Sequence, residues 1–219
     1  HPMDPETMMG AQASNDQYEK ILSYIKIGKE EGCEVLAVEP HAEQESPPAF
    51  YMMPSADGSR KGMYFINTYD PASRHLHRLA ATTFHEAVPG HHFQLALQRE
   101  SSELPWLQRA ATFTGYAEGW ALYAERLADE MGLYTSDLAR VGMLQADSMR
   151  ACRLVVDTGM HALGWSREEA IEYMAANSPI TDTDVVAEVE RYIAIPSQAL
   201  AYKIGQLKIR ELRVKAEAA

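Results

Sequence analysis

The sequence predicts a mainly α-helical fold with one small β-hairpin beside a central helix. Three observations predict it. Apolar residues recur at helical spacing through most of the chain beyond Pro71. Cap and stop residues such as Ser166 with Glu169, Gly164 and Pro196 divide that periodicity into separate helices. Two short β-rich runs flank a turn-rich segment around Asp57-Gly58.

In chain order, residues 1–14 read as a cloning remnant and disordered lead-in, and residues 15–219 as one structural unit. Asn15 to Glu31 carries a broad apolar stripe (Tyr18, Ile21, Leu22, Ile25) and predicts a helix, with Gly32 as its stop. Cys33 to Val38 has the makings of a short strand. Phe50–Met53 and Met63–Thr68 are strand-like, and Pro54 to Gly62 between them is rich in turn residues, so a hairpin follows. It is either a small satellite sheet or an exposed edge to which an extended peptide adds as a further strand. A helix is expected from Pro71 through Gln94 towards Glu100, then a turn at Glu103–Trp106. The next helix, from Gly115, shows Ala117, Ala121, Ala124 and Ala128 on one face, small enough for close helix packing. Ser136 to Leu163 is a long amphipathic run. Ser166 and Glu169 form a capping box, Thr181 or Asp182 caps a following helix, and Ser197 opens the last one, Gln198 to Ala216.

Composition excludes several function classes. With 20 Lys+Arg against 31 Asp+Glu the net charge is −11, and no basic stripe with interleaved aromatics offers a nucleic-acid surface. No apolar run approaches the roughly 18 residues of a membrane span. The cysteines, Cys33 and Cys152, fit neither a disulfide framework nor a cysteine metal site.

The chemistry concentrates in Thr82-Thr83-Phe84-His85-Glu86-Ala87-Val88-Pro89-Gly90-His91-His92-Phe93-Gln94. Imidazole nitrogen suits zinc, and a carboxylate beside a metal-bound water can take its proton. Yet His85 and the next histidines are not four apart. On an unbroken helix His91 would point away from His85, and His92 would share its face but lie about 10 Å further along the axis. Pro89 removes a backbone N–H and crowds the His85 carbonyl, and Gly90 adopts backbone angles other residues avoid. A two-residue helix bulge at Pro89-Gly90 would bring His91 back, leaving His92 as the alternative second ligand.

A third ligand is then needed. Glu118 lies at the edge of the small-residue face of the next helix, which has room to return antiparallel and complete a His85–His91–Glu118 set with a position open for water. Glu125, two turns on, either orients a ligand histidine or is simply exposed. Arg150, Arg153, Asp157 and His161 fall near one line of a helix, either as an ion-pair ladder or as a polar stripe in the cleft with His161 near substrate.

Taken together, His85-Glu86-Ala87-Val88-Pro89-Gly90-His91-His92-Phe93-Gln94, Glu118-Gly119-Trp120-Ala121-Leu122-Tyr123, Asp157-Thr158-Gly159-Met160-His161 and Gln198-Ala199-Leu200-Ala201-Tyr202-Lys203-Ile204-Gly205-Gln206-Leu207 resemble the bacterial proteins grouped as "domain of unknown function 885". The match runs from about Pro48 to the end. That group looks like a distant branch of the gluzincin metallopeptidases, alongside angiotensin-converting enzyme and dipeptidyl peptidase III. The resemblance implies a helical, gluzincin-like catalytic portion of a longer protein, with its small sheet beside the active-site helix. It implies one zinc ion on His85, His91 and Glu118, Glu86 as general base, and Tyr202 with His161 at the oxyanion. Dipeptidyl peptidase III also carries an insertion between its two motif histidines, which agrees with the bulge.

Hydrolysis of a peptide or peptide-like substrate is the leading expectation. A metal-dependent amidase or esterase, or a non-catalytic module completed by a further part of the chain, are the alternatives. Two histidines and one carboxylate also suit non-haem iron, but a glutamate beside the first histidine favours hydrolysis.

Overall fold

The computed structural model describes residues 34–36, 49–55, 59–67 and 76–218. The expected helix over Asn15–Glu31 and the lead-in at residues 1–14 lie outside them. The architecture is mainly α-helical with a small sheet, as the periodicity predicts.

The sheet is built from β1 (Glu34–Leu36), β2 (Ala49–Met52) and β3 (Met63–Ile66), in the order β1-β3-β2. β2 and β3 form the expected antiparallel hairpin, with Phe50 opposite Phe65 and their rings stacked 4.6 Å apart. β1 pairs parallel to β3, a neighbour that no local pattern announces. The sheet lies against the first long helix through Tyr64, which is buried, its hydroxyl 3.4 Å from that of Thr83.

After a 3₁₀ turn at Leu76–Arg78 the chain is helical: α1 (Leu79–Glu86), α2 (His91–Glu100), α3 (Trp106–Ala110), α4 (Thr114–Glu130), α5 (Asp137–Ala162), α6 (Arg167–Asn177), α7 (Asp182–Ala194) and α8 (Leu200–Glu217). The caps read from the sequence are present. The Ser136 hydroxyl accepts from Ala139 N–H, Ser166 and Glu169 close a reciprocal capping box, and Thr181 accepts from Asp184 N–H. Each satisfies amide hydrogens that have no partner within the helix.

Two apolar clusters hold the helices. Met149, Val156, Ala170, Met174, Val185, Val189 and Tyr192 fill the space among α5, α6 and α7. Ala81, Phe84, Ala128, Tyr134, Ala139 and Met143 join α1, α4 and α5. α4 and α8 approach more closely still. A Cβ on Gly119 would lie 2.4 Å from the Gly205 Cα, and one on Gly205 would lie 1.9 Å from the Gly115 carbonyl oxygen, so nothing larger than hydrogen fits at the crossing.

The start of the last helix differs from expectation. Ser197 does not cap it. Its φ is 71°, in the left-handed region, and its N–H donates to the buried Asp157 carboxylate at 3.1 and 3.3 Å. α8 begins three residues later, after a turn that Asp157 stabilises. Among the described residues no helix is long and apolar enough to cross a membrane.

Candidate metal centre

The centre starts where one helix ends. The expected bulged helix is in fact broken: α1 stops at Glu86, the Val88–Pro89 peptide is cis, and His91 opens α2. Gly90, with φ −79° and ψ −133°, is also required here for space. A Cβ at this position would fall 1.9 Å from the His85 carbonyl oxygen and 2.3 Å from that of Phe84. The linker is pinned from the other side by Trp120 of α4, whose indole N–H donates to the Pro89 carbonyl at 2.8 Å. The start of α2 is thereby pressed onto the end of α1, and His91 turns back to His85, their rings edge to face at 4.9 Å.

Glu118 of α4 completes the group. Its Oε2 lies 3.6 Å from His85 Nε2 and 3.3 Å from His91 Nε2, and one ligand atom from each residue lies within 4.8 Å of the others. Ligands about 2.1 Å from a tetrahedral zinc stand roughly 3.4 Å apart, so this spacing and donor set fit that ion. Glu118 Oε2 and His91 Nδ1 are buried without a hydrogen-bond partner. His85 is fixed from behind, its Nδ1 donating to Glu125 Oε1 at 2.8 Å, which turns Nε2 towards Glu118. Burial alone would depress the His85 pKa, but the Glu118 and Glu125 carboxylates outweigh it and push it up to about 9. Burial likewise opposes charge on Glu118, yet the two imidazoles facing it hold its carboxyl well below the usual range.

Glu86 is the last residue of α1 and only 8% exposed. Among the described residues its carboxylate accepts no hydrogen bond and makes no ion pair, and its charge acts on His85, so it stands near the group and uncommitted. Tyr202 of α8 stacks on His85 at 6.1 Å, with the Arg153 guanidinium 4.6 Å from the Tyr202 ring centre.

The remaining sequence candidates go elsewhere. His92 faces the sheet, its Nδ1 2.9 Å from the Tyr51 hydroxyl, and ties α2 to β2. His161 donates from Nε2 to the Tyr192 carbonyl at 3.1 Å. It lies eight residues beyond Arg153 on α5, about 12 Å along the axis, and is not brought to the cluster. Its line on α5 is not an ion-pair ladder either. Arg150 approaches Glu125 at 3.9 Å, Arg153 pairs with Glu188 at 2.7 Å, and Asp157 receives Ser197 N–H.

Sequence reasoning assigned no role to Gln198 or to the Trp120 indole. The Gln198 amide nitrogen lies 3.1 Å from Tyr202 Oη and 3.5 Å from Glu118 Oε1. Its spacing of four from Tyr202 was the available signal.

Residues 5–219 match the family model described as "Bacterial protein of unknown function (DUF885)". The chain belongs to this family. The DUF885 match begins earlier than Pro48, where the motif resemblance starts. A candidate lipoprotein from Colwellia psychrerythraea has a similar crystal structure, with a TM-score of 0.84 and 41% identity over 99% of this chain and 40% of that one. A candidate lipoprotein of unknown function from Shewanella oneidensis shares the fold at a TM-score of 0.71 and 20% identity, over 93% of this chain and 39% of that one. Curated relatives match only locally. A probable aldehyde dehydrogenase of Streptomyces coelicolor is 47% identical over 66 residues, 30% of this chain and 11% of its own. An acetaldehyde dehydrogenase of Pseudomonas aeruginosa is 67% identical over 36 residues, 16% of this chain and 7% of its own. The DUF885 chain therefore spans about a tenth of these curated relatives' length and about two fifths of the solved ones.

Proposed function

We propose that this DUF885 chain carries the catalytic centre of a zinc-dependent peptidase of the gluzincin kind. The observation that carries the reading is the His85–His91–Glu118 group, spaced for one tetrahedral ion, with the uncommitted Glu86 carboxylate beside it. Zinc held by those three residues would polarise a scissile carbonyl and lower the pKa of a bound water. Glu86 takes the water proton and returns it to the leaving amine, so the proton count closes over one turnover. Glu125 keeps His85 in the tautomer that offers Nε2. Tyr202 supplies a hydroxyl to the oxyanion that develops on the attacked carbonyl.

The sheet supports a peptide as the substrate class. Among the described residues β2 is an edge strand in the order β1-β3-β2, and Tyr51 near its end is tied to His92 beside the ligand His91. An extended peptide pairing with that edge would run towards the centre, with backbone hydrogen bonds giving affinity independent of side-chain identity.

Two measurements test the reading. Metal analysis of protein purified without a histidine tag is expected to give about one zinc per chain, lost in Glu118→Ala. On a peptide library, Glu86→Gln is expected to keep the zinc and lose about 10²–10⁴-fold in kcat. Peptidase activity retained in Glu86→Gln would remove Glu86 from its role. Faster turnover of simple esters than of any peptide would replace the substrate class.

A further inference from the structure

We infer that Gln198 is a positioning residue of the same centre, aiming the Tyr202 hydroxyl at the reacting carbonyl; this rests on the peptidase reading above. The orientation of the amide is set by its two polar neighbours. Arg191 Nη1 lies 3.2 Å from Gln198 Oε1, and an arginine can only donate. On its other side the amide meets Glu118, a carboxylate that can only accept, at 3.5 Å. A donor-only and an acceptor-only neighbour fix the amide one way round: its oxygen faces Arg191 and its NH₂ faces the metal centre.

That NH₂ has two hydrogens and two acceptors. One goes to Tyr202 Oη at 3.1 Å, the other towards Glu118 Oε1. With a lone pair of Oη engaged by Gln198, the phenol's own hydrogen must be directed elsewhere. Among the described residues Tyr202 has no hydrogen-bond acceptor. Its ring packs against both His85 and the Arg153 guanidinium. The hydroxyl is thus presented as a donor beside the ligand histidine. The second contact occupies Glu118 Oε1 and leaves Oε2 to face the imidazole nitrogens.

The fold invests heavily in placing this one amide. Arg191 is held by Glu188 at 3.0 Å, and the same Glu188 oxygen receives Arg153 at 2.7 Å and the Tyr192 hydroxyl at 2.6 Å. Ser197, the residue before Gln198, sits in the left-handed region that serine rarely adopts, held there by the buried Asp157. An ordinary helix start at Ser197 would not need either device.

The test is a double-mutant cycle on wild type, Gln198→Met, Tyr202→Phe and the double variant, all at saturating zinc, with metal content, kcat and KM measured on one cleavable peptide. Gln198→Met keeps length and loses both N–H donors. Its kcat is expected to fall about 10–100-fold with KM within about twofold and about one zinc per chain retained. Because Gln198 acts through the Tyr202 hydroxyl, the double variant is expected to be no slower than Tyr202→Phe alone. Multiplying losses, or an unchanged kcat in Gln198→Met, would overturn the inference while leaving the peptidase reading intact. A wild type without zinc or without peptide turnover would overturn both.

Discussion

Around Met174 and Val189, helices α5, α6 and α7 meet through interlocking apolar side chains, and each begins at a hydroxyl cap. Around His85, helices α1, α2, α4 and α8 meet through glycine backbone and buried charge: Gly90 against the His85 carbonyl, Gly119 against Gly205, Glu125 behind His85. The first region is held by burial, which is non-directional and degrades in proportion to the area lost. The second depends on backbones lying closer than any Cβ permits, and on polar groups that are costly if one partner is removed. A candidate centre built the second way is sharply defined and intolerant of change. The scaffold beside it is forgiving.

The largest effect is expected at the linker. Gly90→Ala puts a methyl group 1.9 Å from the His85 carbonyl oxygen, so α2 must move away from α1. Zinc binding is expected to be abolished while circular dichroism still reports a helical protein. Wild-type zinc affinity in this variant would break the comparison. Met174→Ala, in the apolar region, is expected to lower stability by about 2–5 kcal/mol in urea unfolding, with about one zinc per folded chain retained. Metal loss before unfolding would show that the two regions are not separable.

A smaller effect concerns the charges joining the regions. Burial opposes ionisation of Glu188, but Arg153, Arg191 and the Tyr192 hydroxyl hold its pKa down at about 2, from an ordinary 4.5. A depressed carboxylate stabilises the fold fully above its unfolded value and loses that contribution as pH falls through the folded one. Its share, at most about 3 kcal/mol, is therefore expected to disappear between pH 4.5 and 2. Thermal melts of wild type and Glu188→Gln should differ at pH 6 and converge near pH 2. A constant gap across that range would remove Glu188 from the acid response. Ser166→Ala, which deletes one half of the α6 capping box, is expected to shift stability by about 1 kcal/mol and leave zinc affinity unchanged. Isothermal titration with zinc would check the second half of that statement.

Much of this was legible in the chain. The hairpin, the capped helices at Ser166 and Thr181, and the helix of buried alanines from Ala117 to Ala128 follow from period, turn residues and caps. So does the nomination of His85, His91 and Glu118, because Pro89-Gly90 rules out an ideal helix and a third ligand was needed. The parallel pairing of β1 to β3 was not legible, since it joins segments that share no local signal. The broken rather than bulged helix was not either, nor the turn at Ser197, whose left-handed backbone is held by Asp157 some 40 residues away.

By itself, then, the sequence determined which residue types were available and on which elements they sit, because helix period, capping and the missing proline N–H act within a few residues. The tertiary structure decided that His91 rather than His92 faces Glu118, that His161 turns to the Tyr192 carbonyl, and that Gln198 bridges Tyr202 and Glu118. Those choices depend on angles and separations between elements. They are fixed by contacts such as Gly119 on Gly205 and Trp120 on Pro89, between residues far apart in the chain.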